Sequence, residues 1–115
     1  MASPNVTGNI ALLQQHFNRL NGSFMKSATT RALVIHTAKE AGDAPGPDYK
    51  HGWGLLDSKK AAEVISVRNK YSLLREETLE NGSLKEIDLV ASGNEPLKVT
   101  IAWTDPRPAV LSNPR

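Results

Sequence analysis

From Val6 to Leu20 the apolar residues Val6, Ile10, Leu13, Phe17 and Leu20 recur at spacings of four, three, four and three. Thr7, Asn9, Gln14, Asn18 and Arg19 fill the positions between them, so the pattern predicts one helix buried along a single stripe. Ser3 and Pro4 stand where an N-cap and a first helical residue belong, since Ser accepts a bond from an orphan amide and Pro has no amide to leave unsatisfied. Asn21-Gly22 supplies the stop. A second helix is expected from about Phe24 to Lys39, with Ala28, Ala32, Leu33 and Ile35 among good helix formers. Its β-branched Thr29, Thr30, Val34 and Thr37 lower the propensity, so packing must sustain it. Gly42, Pro45, Gly46 and Pro47 then force a surface loop. In His51-Gly52-Trp53-Gly54-Leu55-Leu56 two glycines bracket a Trp, a pattern suited to positive φ or close backbone approach. Asp57 caps a short third helix that keeps Ala61, Ala62 and Ile65 inside and Lys59, Lys60 and Glu63 outside, and stops near Ser66.

Beyond Arg68 the period changes from helical to alternating. Ile87, Leu89 and Ala91 share one face, and Leu97, Val99, Ile101 and Trp103 form an unbroken period-two face against Lys98, Thr100, Ala102 and Thr104. Asn81-Gly82 and Ser92-Gly93-Asn94 are turn signals at hairpin spacing, and a weaker strand is expected over Tyr71 to Leu79. The predicted fold class is therefore α+β, with three helices followed by about three antiparallel strands. The boundary falls near Asn69, giving one unit over residues 1–68 and a second over 69–115. Three strands leave an open edge, so the second unit reads as incomplete.

Composition narrows the function classes. The chain has 115 residues, enough for one small domain or parts of two. Its 14 Lys and Arg against 12 Asp and Glu give a net charge of only +2, which offers nucleic acid no basic stripe. Helices one and two are spaced like a helix-turn-helix, but the second carries no run of base-reading side chains. The absence of Cys removes disulfides, thiolate metal sites and a Cys nucleophile. No apolar run approaches a membrane span, and no basic and apolar leader precedes the first helix.

Taken one by one, the chemistry-bearing residues are modest. His16, His36 and His51 stand at no metal-ligand spacing and read as structural or surface histidines. Asp43, Asp48 and Asp57 flank the Gly/Pro loop, where oxygen ligands for calcium are conceivable, but without the acidic ladder of a calcium loop they read as solvated turn residues. Asn5-Val6-Thr7, Asn21-Gly22-Ser23 and Asn81-Gly82-Ser83 match the glycosylation sequon, the last two serving better as turns. Trp53 and Trp103 read as core or interface aromatics.

The opening M-A-S-P-x-V-x-G resembles the stretch that follows the nucleophile in subtilisin-like serine proteases, G-T-S-M-A-S-P-x-V-x-G. Met1, Ala2, Ser3, Pro4, Val6 and Gly8 match it position for position. The order of later features is similar too: a helix behind the nucleophile, a second helix ending in Thr37-Ala38, a variable loop, and Gly52-Trp53-Gly54-Leu55-Leu56-Asp57 leading into Ala61-Ala62. Pro96 to Pro106 resembles a strand in the subtilase subgroup that carries a C-terminal β-sandwich.

This resemblance implies a C-terminal piece of a serine endopeptidase: the end of an α/β catalytic domain over 1–68, then the start of a β-sandwich over 69–115. The family's catalytic serine would immediately precede Met1, so Ser3 is not that serine and the catalytic residues in this chain are none. Met1, Ala2, Ser3, Pro4, Val6 and Gly8 flank the nucleophile, Gly52, Gly54 and Asp57 form a structural turn, and no metal ligand is assigned. In the family the nucleophile's helix begins at or just before the serine, which would place Ser3-Pro4 inside its first turns. The family implies no cofactor, although calcium occurs in it. The implied partners are the rest of the catalytic domain and a polypeptide substrate, with neither nucleic acid nor membrane, and the implied location is secreted. An isolated chain is expected to be inactive, and either to self-associate through the apolar stripe of the first helix or to fold poorly on its own. A contrasting expectation is a noncatalytic module that binds partners through its β-hairpins.

Overall fold

The computed structural model describes residues 1–68, 73–91, 93–94 and 96–105. Three helices form its centre: α1 (Ala2–Asn21), α2 (Ser27–Thr37) and α3 (Ser58–Ser66). α3 packs against both α1 and α2. A nine-residue helix is too short to persist alone in water, so these contacts hold it. Leu13 and Phe17 from α1, Met25 from the connection, Leu33 from α2 and Ala61 and Ile65 from α3 make the core. The α1 stripe is therefore covered at its middle, while Val6 and Ile10 are half-buried and Leu20 is exposed.

The helix ends follow local chemistry. Gly22 closes α1 at φ 73°, its amide donating to the Asn18 carbonyl at 2.8 Å. Asp57 caps α3 as the sequence suggests, its carboxylate accepting from the Lys60 amide at 2.8 Å. At the start of α1, however, the cap is Met1, with Ser3 and Pro4 already helical. Pro4 fits there because amides of the first turn have no intrahelical acceptor, so its missing N–H leaves nothing unpaired. Between α1 and α2, Gln14 clasps the connection: its Oε1 accepts from the Met25 amide at 2.8 Å, and its Nε2 donates to the Met25 carbonyl at 3.0 Å and to Thr30 Oγ1 at 3.1 Å.

The expected α+β fold and β-sandwich are not found: among the described residues there is no β-strand and no sheet, and the architecture is three helices followed by an irregular segment. The isolated bridges Lys39–Leu55 and Asp48–Gly52 lie upstream of the segment where strands were expected. The physical reason lies in what alternation requires. A period-two face becomes a strand when another layer covers it and a neighbouring chain accepts its backbone bonds. Among the described residues no such layer covers Leu97, Val99, Ile101 and Trp103, which stay 60, 61, 76 and 66% exposed. Asn81-Gly82 does form a turn, with Gly82 at φ 78° and the Ser83 amide donating to the Glu80 carbonyl at 3.0 Å, but no ladder flanks it among the described residues. The hairpin surface of the noncatalytic-module reading is thus missing from them too. Residues 69–72 at the expected domain boundary, including the start of the Tyr71–Leu79 strand, together with Ser92 and Pro106, lie outside the described residues.

The segment after α3 returns to the helices at specific points. Leu74 packs on the core. Glu76 Oε1 accepts from the Lys26 amide at 2.8 Å and from the Thr29 hydroxyl at the start of α2. At the other end of α2, Lys98 Nζ donates to the His36 carbonyl at 2.6 Å and Thr100 Oγ1 lies 3.0 Å from His36 Nδ1. Burial opposes ionisation of Glu76, yet the Thr29 hydroxyl, the Lys26 amide and the charges of Lys26 and Arg68 outweigh it and hold the carboxyl below the ordinary glutamate range. Burial, then the charges of Lys98 and Lys60, lower the His36 imidazole.

Both shifts act in one direction. Glu76, depressed in the fold, contributes stability above its unfolded pKa that is lost as pH falls through the folded value. For His36 the unfolded chain takes up the proton first, so stability falls as pH drops below the ordinary imidazole value. The melting temperature is expected to decrease steadily on acidification from about pH 7. In thermal melts, His36→Gln should flatten the upper part of this slope and Glu76→Gln the lower part; slopes identical to the parent chain would contradict the assignment.

Candidate functional site

An open groove of about 810 Å³ separates the start of α1 from the chain entering α3. Met1, Ala2, Asn5, Val6 and Asn9 line one wall, and Lys39 and residues 54–58 line the other. Of the residues flagged by the sequence, Met1, Ala2, Val6, Gly54 and Asp57 converge on this groove. Ser3, Pro4, Gly8 and Gly52 do not line it. Gly8 lies on the exposed side of α1, where a methyl group in place of its hydrogen would meet nothing within 4 Å.

The second wall is built on backbone. Lys39 and Leu55 exchange two hydrogen bonds, both at 2.8 Å. Gly54 makes this approach possible at φ 97°; a Cβ there would lie 2.2 Å from the Lys39 carbonyl oxygen. Just before it, the Asp48 and Gly52 backbones exchange two bonds at 3.0 Å, and the Gly54 amide donates to the His51 carbonyl at 3.0 Å. Asn9 Oδ1 accepts from the Ser58 hydroxyl at 2.8 Å, joining the two walls. The sequence gives no signal for Asn9 and Ser58, because their partnership spans 49 residues.

Two carboxylates of the loop, Glu40 and Asp48, are consumed internally. Glu40 accepts from the amides of Ala41, Gly42 and Gly46 at 3.0, 3.1 and 2.8 Å. Those amides, Gly42 first, hold its carboxyl below the usual range. Asp48 Oδ1 accepts from the His51 and Lys50 amides at 2.6 and 2.8 Å, and the His51 amide is the main reason that its carboxyl is also lowered. Among the described residues no three His, Cys, Asp or Glu side chains are placed to hold a metal ion. Trp53 and Trp103 are exposed and not core residues.

Among the described residues no triad is assembled. His16 Nε2 and Ser66 Oγ stand 2.8 Å apart, but the Ser66 hydroxyl donates to the Ala62 carbonyl at 2.9 Å. The Ser66 hydroxyl thus has a backbone acceptor within its own helix, and among the described residues no third group orients the His16 ring as a catalytic pair requires. His36 faces a threonine hydroxyl, and no described histidine lines the groove. What the groove does offer is the start of a 20-residue helix, where first-turn amides and the positive end of the helix dipole favour developing negative charge.

A helix start facing a glycine-built wall, both carrying the motif residues, is the arrangement that sequence comparison addresses. Residues 1–54 match the Subtilase family. The chain is also similar to the Neisserial autotransporter lipoprotein NalP of Neisseria meningitidis serogroup B, in strains MC58 and H44/76, at 42% identity over 60 residues. That match covers 52% of this chain and 5% of the relative, so the chain spans a small part of the curated proteins it matches. No solved structure matches it. The family match takes in α1 and α2 and ends at Gly54, before α3 begins.

Proposed function

We propose that this chain forms part of a subtilisin-like serine endopeptidase, in which α1 is the helix behind the nucleophile and the groove is the flank of the catalytic cleft. The observation that carries this is the convergence of Met1, Ala2 and Val6 with Gly54 and Asp57 on one groove, inside or beside the segment that matches the Subtilase family. The serine would precede Met1, so that its oxygen attacks the scissile carbonyl at the positive end of α1; the histidine and aspartate would come from other parts of the protease. Ala2, Ser3 and Gly8 are exposed on this chain, and as small residues they would let the remainder of the catalytic domain approach α1 closely. The substrate is a polypeptide, and the partner of this chain is the remainder of the catalytic domain. Secretion fits the relative's description as an autotransporter lipoprotein.

As 115 residues alone, the chain is expected to be inactive. Losing the nucleophile costs on the order of 10⁶ in kcat, a magnitude known for subtilisin and not obtained from this protein. Purified chain should neither hydrolyse a generic peptide substrate nor react with a fluorophosphonate probe. The reading frame extended upstream should do both, and replacing the serine before Met1 by alanine should abolish both. Labelling of the 115-residue chain, or an extended protein with no serine at that position, would refute the proposal.

A further inference from the structure

The chain contains two Asn-Gly pairs, Asn21-Gly22 and Asn81-Gly82. Such pairs can deamidate without an enzyme: the glycine amide nitrogen attacks the asparagine Cγ, and the missing glycine side chain leaves the approach open. The fold treats the two pairs oppositely.

At Asn21 every participating group is engaged. Its Nδ2 donates to the Phe17 carbonyl at 2.9 Å, its Oδ1 accepts from Arg68 Nη1 at 3.0 Å, and the Gly22 nitrogen that would attack donates to the Asn18 carbonyl at 2.8 Å. At Asn81, among the described residues, the side chain makes no hydrogen bond and the Gly82 amide has no acceptor. The turn is closed instead by the flanking residues, through the Ser83 amide and hydroxyl on the Glu80 carbonyl. Asn81, Gly82 and Ser83 are all exposed, and a side chain at Gly82 would meet nothing within 4 Å.

We propose that Asn81 is a site of spontaneous modification, at which this turn converts to aspartate and isoaspartate while Asn21 is protected by its helix cap. Hydroxide removes the Gly82 amide proton, the nitrogen bonds to Asn81 Cγ, and the Cγ–Nδ2 bond breaks, so that ammonia leaves with a proton from water. The resulting succinimide is opened by water at either carbonyl. Attack at the backbone-derived carbonyl leaves the chain running through the side-chain carbonyl and gives isoaspartate; attack at the side-chain carbonyl restores the ordinary backbone and gives aspartate. No electrons are transferred, and water is the co-reactant. Either product places a carboxylate beside Glu80, and isoaspartate lengthens the backbone inside the turn.

The test is incubation of the folded chain at mildly alkaline pH, followed by peptide mapping with mass spectrometry and enzymatic detection of isoaspartate. Asn81 should convert about tenfold or more faster than Asn21, because three hydrogen bonds must break at Asn21 and each is worth a factor of several. In concentrated urea the two rates should converge, and Asn81→Gln should remove the fast phase while leaving Asn21 unaffected. Equal rates in the folded chain, or a ratio that persists unchanged in urea, would overturn the inference.

Discussion

Gly54→Ala is expected to be among the most damaging single substitutions in this chain. The new Cβ would stand 2.2 Å from the Lys39 carbonyl oxygen and 3.1 Å from its carbon, and both atoms belong to backbone that cannot swing aside like a side chain. The residue would also be held at φ 97°, where an L side chain is strained. Strain of this kind costs about 1–3 kcal/mol, and separation of Lys39 from Leu55 forfeits two hydrogen bonds worth about 0.5–1.5 kcal/mol each. A loss of about 3 kcal/mol or more is therefore expected in denaturant titration. Gly52→Ala supplies the contrast: its φ of 58° lies in the left-handed region and a Cβ would meet nothing, so about 1–2 kcal/mol is expected. Equal effects at the two glycines would show that conformation alone, and not the approach to Lys39, sets the requirement at Gly54. Under the proposed function, Gly54→Ala should also lower the activity of the protein extended upstream, since Gly54 through Ser58 form one wall of the groove.

The contrast between the two glycines shows which parts of the fold are legible in the sequence. His51 to Leu56 announces special backbone, but only the geometry assigns close approach to Gly54 and a plain left-handed turn to Gly52. α1 and α3 are legible because their buried residues are apolar at helical spacing. α2 is less so: it buries Thr29, Leu33 and Thr37 along one face, and a hydroxyl reads as polar. Thr37 escapes the penalty of burial by donating to the Leu33 carbonyl at 2.8 Å, a bond available only once the helix exists. Nothing in the pattern prefers Met25 to Phe24 as a core residue, yet Met25, whose backbone Gln14 clasps, is buried and Phe24 stays exposed. The strand expected over residues 97–103 fails for a different reason. Alternation reports that a segment can present two faces; whether one is buried depends on a layer that the pattern does not contain. In the groove, Met1, Ala2 and Val6 are legible as a motif, whereas Asn9 and Ser58 depend on a contact made by the packing of α1 against α3.

That packing makes Ile65 the second position of large effect. Ile65 is 2% exposed, and with the fully buried Ala61 it supplies the buried core residues of α3, beside which Ala62 and Val64 pack. Ile65→Ala removes three carbons from a core of six buried side chains, which have few others to collapse onto the space. Such truncations cost about 2–5 kcal/mol, and a small domain has only about 5–15 kcal/mol in total. Ile65→Val, which removes one methyl group, should cost about 0.5–1.5 kcal/mol, while Leu12→Ala on the exposed side of α1 should stay within about 0.5 kcal/mol. The consequence reaches the groove because α3 carries Ser58, whose hydroxyl bridges to Asn9, and Ser66, which meets His16. Hydrogen exchange should therefore show Ile65→Ala opening α3 and the start of α1 together. If α3 exchanges alone while α1 keeps its protection, the two walls of the groove are held independently, and the core does not govern the site.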